Sequence, residues 1–255
     1  MISLKRLFYA DFVKILNNKP MRLTLILPQI LAIVLILLTK DNTINFQKTG
    51  YDLWVIYSKD VLLILTFIFP LLAIIYPYII FDNEYRYNGP RTHSTLPLKM
   101  GEYFLSKLFV MWIFLAFIII TSSLMLLFGG YVIGAYYHIP EFNLYNPTFI
   151  IIYTFTLLPV CICLSAIHTI LNIFFHNILI NTVPFLLLIF ISIFLIEWEY
   201  KYFFIHTYPF IAYSNLQHEF DLLFILPLLI SISITILTLG FVYYILPKLQ
   251  QLWVR

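Results

Sequence analysis

VLLILTFIFPLLAIIYPYIIF (61–81), DNEYRYNGPRTHSTLPLKMGEYFLSK (82–107) and LFVMWIFLAFIIITSSLMLLFGGYV (108–132) follow one another without a break. The first and third stretches carry no Asp, Glu, Lys or Arg. Each exceeds the roughly 20 residues a helix needs to cross a hydrocarbon core of about 30 Å. In lipid the backbone must satisfy its own polar groups, which leaves helices or a closed barrel. Runs this long and uniformly apolar do not alternate as barrel strands do. They read as membrane-spanning helices joined by a polar segment.

Working outward, four more runs share this character: Leu23–Thr39, Phe149–Phe175, Ile178–Ile196 and Leu222–Leu246. The whole chain of 255 residues is 62% hydrophobic and 11% charged, more apolar surface than a soluble domain of this size can hide. The expected fold is all-α and integral to the membrane, one domain over 1–255 with six transmembrane helices. Ile2–Asn17 differs. Leu4, Phe8, Phe12 and Ile15 fall at helical spacing, while Lys5, Arg6, Asp11 and Lys14 lie off that stripe. It is expected to form an amphipathic interfacial helix (2–17) lying on the membrane surface, ended by Asn17-Asn18-Lys19-Pro20.

Charge sets the orientation. With the N-terminus inside, eleven basic residues and four acids (Asp11, Asp82, Glu84, Glu102) lie on one face, against four basic residues and eight acids on the other. That asymmetry follows the positive-inside tendency and places both termini in the cytoplasm. No cleavable leader is expected, because Leu38-Thr39-Lys40 lacks small residues. The polar segment 82–107 is then cytoplasmic. Lys40–Asp60, Ala135–Thr148 and the aromatic, acidic segment Glu197–Asp221 lie outside, the last expected to dip into the interface.

Catalysis is not expected. The six runs contain no internal Asp or Glu, and His168 and His176 stand two turns apart. No HExxH, GxSxG or GxxxxGK[ST] motif is present. Cys161 and Cys163 point to different helix faces and suggest neither a disulfide nor a metal site. No metal and no cofactor is expected in this chain. Uphill transport would need a partner, since ion-coupled carriers generally use intramembrane carboxylates.

Two polar stripes stand out inside the runs. Cys161, Ser165, His168, Asn172 and His176 line one helical face, with Thr169 beside them; Ser231, Thr235 and Thr238 line another. The first is either a substrate-facing or dimer-facing surface (Ser165, His168, Thr169, Asn172) or interhelical hydrogen bonding. Gly130 and Gly134 form a small-xxx-small pair. Pro28, Pro70, Pro77, Pro159, Pro184 and Pro227 punctuate the runs, as hinges or as tolerated kinks.

Segment 82–107 resembles the first cytoplasmic loop of ABC-2-type exporter permeases. The matching residues are Glu84, the basic and threonine-bearing run Arg86 to Thr95, Leu96-Pro97, and Lys107 after Ser106. Asn88-Gly89-Pro90-Arg91 departs from the usual pattern there. In length and loop size the chain is most similar to permeases of bacteriocin or lantibiotic immunity systems. The resemblance implies a bacterial cytoplasmic-membrane permease working as a homodimer or with a paralogous permease. Its partner is a separate ABC ATPase, two copies per complex, which holds ATP and Mg2+; lipid surrounds it and nucleic acid plays no part. It also implies that a short helix in 89–102 docks on the ATPase. Arg91, Leu96, Pro97, Leu98 and Lys99 would make contact, and Glu84 would anchor the loop to Arg86, Arg91 or Lys107. A permease exporting a hydrophobic or amphipathic molecule such as an antimicrobial peptide is one hypothesis. A non-transporting membrane sensor or scaffold, docking a cytoplasmic partner through 82–107, is the other. Co-purification of an ATPase separates them.

Overall fold

The computed structural model describes residues 4–44, 50–86, 100–174, 178–214 and 225–245, together with Lys248, and every regular element among them is helical. In chain order they are α1 (Leu4–Leu16), α2 (Lys19–Ile44), α3 (Gly50–Arg86), α4 (Met100–Tyr136), the single turn α5 (Glu141–Leu144), α6 (Thr148–Phe174), α7 (Ile178–Phe194) and α8 (Tyr208–Ser214). Three 3-10 turns lie between α7 and α8, and α9 (Ile225–Gly240) runs into a π-helical turn at Phe241–Ile245.

Lys19–Leu38, Asp52–Phe81, Gly101–Tyr136, Thr148–Phe174 and Ile225–Ile245 are each long and apolar enough to cross a membrane. The remaining expected span, Ile178–Ile196, corresponds to α7, which is apolar but has 17 residues, about 26 Å of rise. Helix limits differ from the apolar runs in two places. Lys40–Ile44 and Gly50–Asp60, read from hydropathy as part of a loop, are the ends of α2 and α3. Asp52 sits in the first turn of α3, where a carboxylate favours the helix dipole. Leu53, Trp54 and Tyr57 are fully buried and hold that turn to the bundle despite the exposed Lys59 and Asp60. Likewise Asp82–Arg86 and Met100–Lys107 are helical, so 87–99 is the part of the polar segment that lies outside the described residues.

The end of the bundle bearing Arg86 and Met100 is here termed the loop end. α2 runs away from it, α3 towards it, α4 away and α6 towards it. Polar contacts join these neighbours: Gln29 of α2 donates to Thr121 Oγ1 of α4 at 2.7 Å, and Asn172 of α6 donates to the Pro77 carbonyl of α3 at 3.2 Å. α6 packs against α3, α4, α8 and α9. At the far end Trp54 meets Tyr57, Tyr131 and Phe142 edge-on at 5.7, 5.2 and 5.0 Å, and Tyr57 donates to the Leu126 carbonyl at 2.9 Å. Gly129 and Gly130 let those rings approach, because any Cβ on Gly130 would strike the Trp54 indole. The glycine pattern of α4 therefore serves packing within the chain. α4 ends where His138, at φ 57°, turns the backbone left-handed and the Ile139 amide donates to the Gly134 carbonyl at 2.8 Å.

The segment between α7 and α9 goes deeper than an interfacial dip. Phe210 meets Phe67, near the middle of α3, at 4.8 Å, and Tyr213 donates to the Lys59 carbonyl at 3.4 Å. Thr207, Tyr208, Phe210, Ile211 and Ala212 are buried. α8 is thus a wedge in the far half of the bundle, alongside α3 and α6.

Candidate functional site

At the loop end, α1 lies against α4, placing Phe12 on Phe114 with stacked rings 5.5 Å apart. Ile15 is buried as its spacing suggests. Asp11, expected off the apolar stripe, is buried too and faces α4. The reason is its partners. Lys107 Nζ donates to Asp11 Oδ1 at 2.9 Å, and Ser106 Oγ donates to Asp11 Oδ2. Each carboxylate oxygen thus takes a donor from one of two consecutive residues of α4. The Lys107 ammonium also lies 4.5 Å from the centroid of the Tyr103 ring and 6.0 Å from that of Phe81, so aromatic faces lie against its charge as well. Lys107, read from the sequence as the edge of the polar loop, is only 2% exposed. Nearly two turns nearer the loop, Gly101 meets the π-helical turn: a Cβ there would lie 2.8 Å from the Tyr243 carbonyl. The base of α4 is accordingly the joint of α1, the end of α3 and the end of α9. Of the other expected coupling residues, Glu84 and Arg86 fall in the last turn of α3, though their side chains lie outside the described residues. Arg91, Leu96, Pro97, Leu98 and Lys99 lie outside them altogether.

A family model described as ABC-2 family transporter protein matches residues 7–183, from α1 into α7. The chain belongs to this family. No curated protein and no solved structure matches it. Its long apolar helices and its family make it a multi-pass membrane protein, the membrane component of an ABC transporter rather than the catalytic one. The match contains both partners of the Asp11–Lys107 pair and the whole polar segment between α3 and α4.

The polar face of this ABC-2 protein lies in α6. Ser165, His168, Thr169 and Asn172 are buried within the chain. Ser165 Oγ accepts from Trp112 Nε1 of α4 at 3.1 Å and donates to the Ile162 carbonyl at 2.7 Å. Thr169 donates to the Ser165 carbonyl at 2.8 Å. With Asn172 on the Pro77 carbonyl, the face joins α6 to α3 and α4 by the interhelical bonds that serve as glue in membranes. Ser231, Thr235 and Thr238 are buried on α9, which packs on α6. Cys161 and Cys163 are buried free thiols. Among the described residues, no three His, Cys, Asp or Glu gather as a metal site would require.

His168 has a neighbour the sequence does not reveal. Its ring centroid lies 4.1 Å from that of Phe185 in α7 and 6.1 Å from that of His206 in the wedge. Nε2 of each histidine is buried with no hydrogen-bond partner among the described residues. Burial pushes His206 down to about 4 from the ordinary 6.5. The folded protein therefore refuses a proton that the unfolded chain accepts below about pH 6.5. Stability is expected to fall as pH drops from 6.5 towards 4. His206→Phe should reduce that loss, which thermal unfolding in detergent at pH 7 and pH 5 will measure for both proteins.

Proposed function

We propose that this chain is the membrane-spanning permease subunit of an ATP-driven exporter, driven by a separate ATPase that docks on segment 82–107. The observation that carries this reading is the family match spanning that segment together with the joint at the base of α4. The segment leaves α3 and enters α4 where four elements meet. A force applied there biases the packing of the bundle, which is what a ligand-driven partner must do to switch it between two states.

In this reading six helices span the membrane, α7 among them, both termini are cytoplasmic, and α1 lies at the inner leaflet of a bacterial plasma membrane. Glu84, Arg86, Arg91, Leu96, Pro97, Leu98 and Lys99 form the docking loop. Lys107 acts from within rather than by contact. Two permease chains, identical or paralogous, work with two ATPase subunits that hold ATP and Mg2+. The cargo is hydrophobic or amphipathic, an antimicrobial peptide being the first choice. Support for greasy cargo comes from the six apolar runs themselves, which carry no Asp, Glu, Lys or Arg to line a path for a hydrophilic molecule. Ser165, His168, Thr169 and Asn172 would act in transport only if the bundle opens along α6.

The test is co-purification of an ATPase with the tagged chain from its native membrane. Leu96→Asp is expected to lower its recovery about tenfold, the effect of losing one anchor worth about 1.4 kcal/mol. Glu84→Ala should also reduce it. An unchanged yield for both, or cysteine labelling of the loop from outside intact cells, would overturn the docking assignment. Absence of any ATPase would favour the sensor or scaffold reading.

A further inference from the structure

We infer that Asp11 is a positioning residue for coupling: through Lys107 it makes α1 follow the base of α4, so that a push on segment 87–99 reaches α1 and α2 as well as α3 and α4. This rests on the docking reading above and adds a second route for the force.

The geometry is that of a clamp. Lys107 lies seven residues beyond Met100, about 10 Å along α4 from the start of that helix. Its ammonium and the Ser106 hydroxyl hold opposite oxygens of one carboxylate, fixing α1 in rotation and in register. The neighbouring stack of Phe12 on Phe114 has no comparable directionality, and flat rings can slide. A buried ion pair adds little stability over an apolar pair of the same volume, and its best-attested use is to set register. α1 in turn is joined to α2 through the two residues Asn17 and Asn18. The Asn18 amide donates to the Ile15 carbonyl at 3.0 Å, and the Arg22 amide donates to the Asn18 carbonyl at 3.1 Å. That joint is short and hydrogen-bonded, and Met21 just beyond it is fully buried. A displacement of α1 is passed on to the base of α2.

The test uses the detergent-purified complex with its co-purifying ATPase. Spin labels go on Tyr9→Cys and Leu144→Cys, at exposed positions near opposite ends of the bundle, with Cys161 and Cys163 replaced by Ser. In the otherwise native chain, ATP, Mg2+ and vanadate are expected to shift the label separation. Asp11→Leu/Lys107→Met should fold, retain the ATPase and lose the shift. The reversed pair, Asp11→Lys/Lys107→Asp, should keep it. A full shift in the apolar pair, or none in the native chain with its ATPase bound, overturns the role of Asp11 and leaves docking intact. Failure to recover any ATPase with the native chain overturns both. Thermal unfolding of each variant separates a lost clamp from a lost fold.

Discussion

Lys107→Met is expected to lower unfolding stability by about 3–5 kcal/mol, because it leaves the Asp11 carboxylate buried and without its counter-charge. The methionine fills nearly the same volume, so the cost is one of charge rather than of a cavity. The decisive comparison is with Asp11→Leu/Lys107→Met. Removing both charges is often neutral or better, so the double variant should recover to within about 1 kcal/mol of the native chain. Chemical unfolding in detergent, read by tryptophan fluorescence, measures both. If the double variant is as unstable as the single one, the loop-end joint is held by shape and the charge reading is wrong.

Gly130→Ala should destabilise by about 2–3 kcal/mol, although alanine is the better helix former by about 1 kcal/mol. The new methyl group would meet the Trp54 ring, which cannot swing aside because Tyr57, Tyr131 and Phe142 enclose it. Gly240 provides the control. A Cβ there meets nothing within 4 Å, so Gly240→Ala should stabilise by about 0.5–1 kcal/mol. Opposite signs for two helical glycines would place the effect in packing. Equal signs would show that the far-end aromatic cluster yields more readily than its geometry suggests.

The helices were legible wherever lipid is the solvent, since an unbroken apolar run has no alternative there to a helix. The first turns of α3 were not, because Asp52, Ser58, Lys59 and Asp60 lower the local hydropathy. Leu53, Trp54, Tyr57 and Val61, at helical spacing along one face, were the signal that could have found them. The α6 stripe was readable as one face from its spacing, but spacing cannot say what faces it. Trp112 and Pro77 come from helices 53 and 95 residues away. The Asp11–Lys107 pair was illegible for the same reason, its partners being 96 residues apart. An acid on an otherwise basic helix face was its only trace. The wedge around His206 shows in the sequence only as an aromatic loop, since composition records greasiness and not depth.

That wedge has a mechanical consequence. With Phe210 seated against the middle of α3 and Tyr213 tied to the Lys59 carbonyl, the segment plugs the far half of the bundle alongside α3 and α6. Under the proposed export function, a molecule passing between α3 and α6 would have to displace it, breaking the seating of Phe210 on Phe67 and of Phe185 between the two imidazoles.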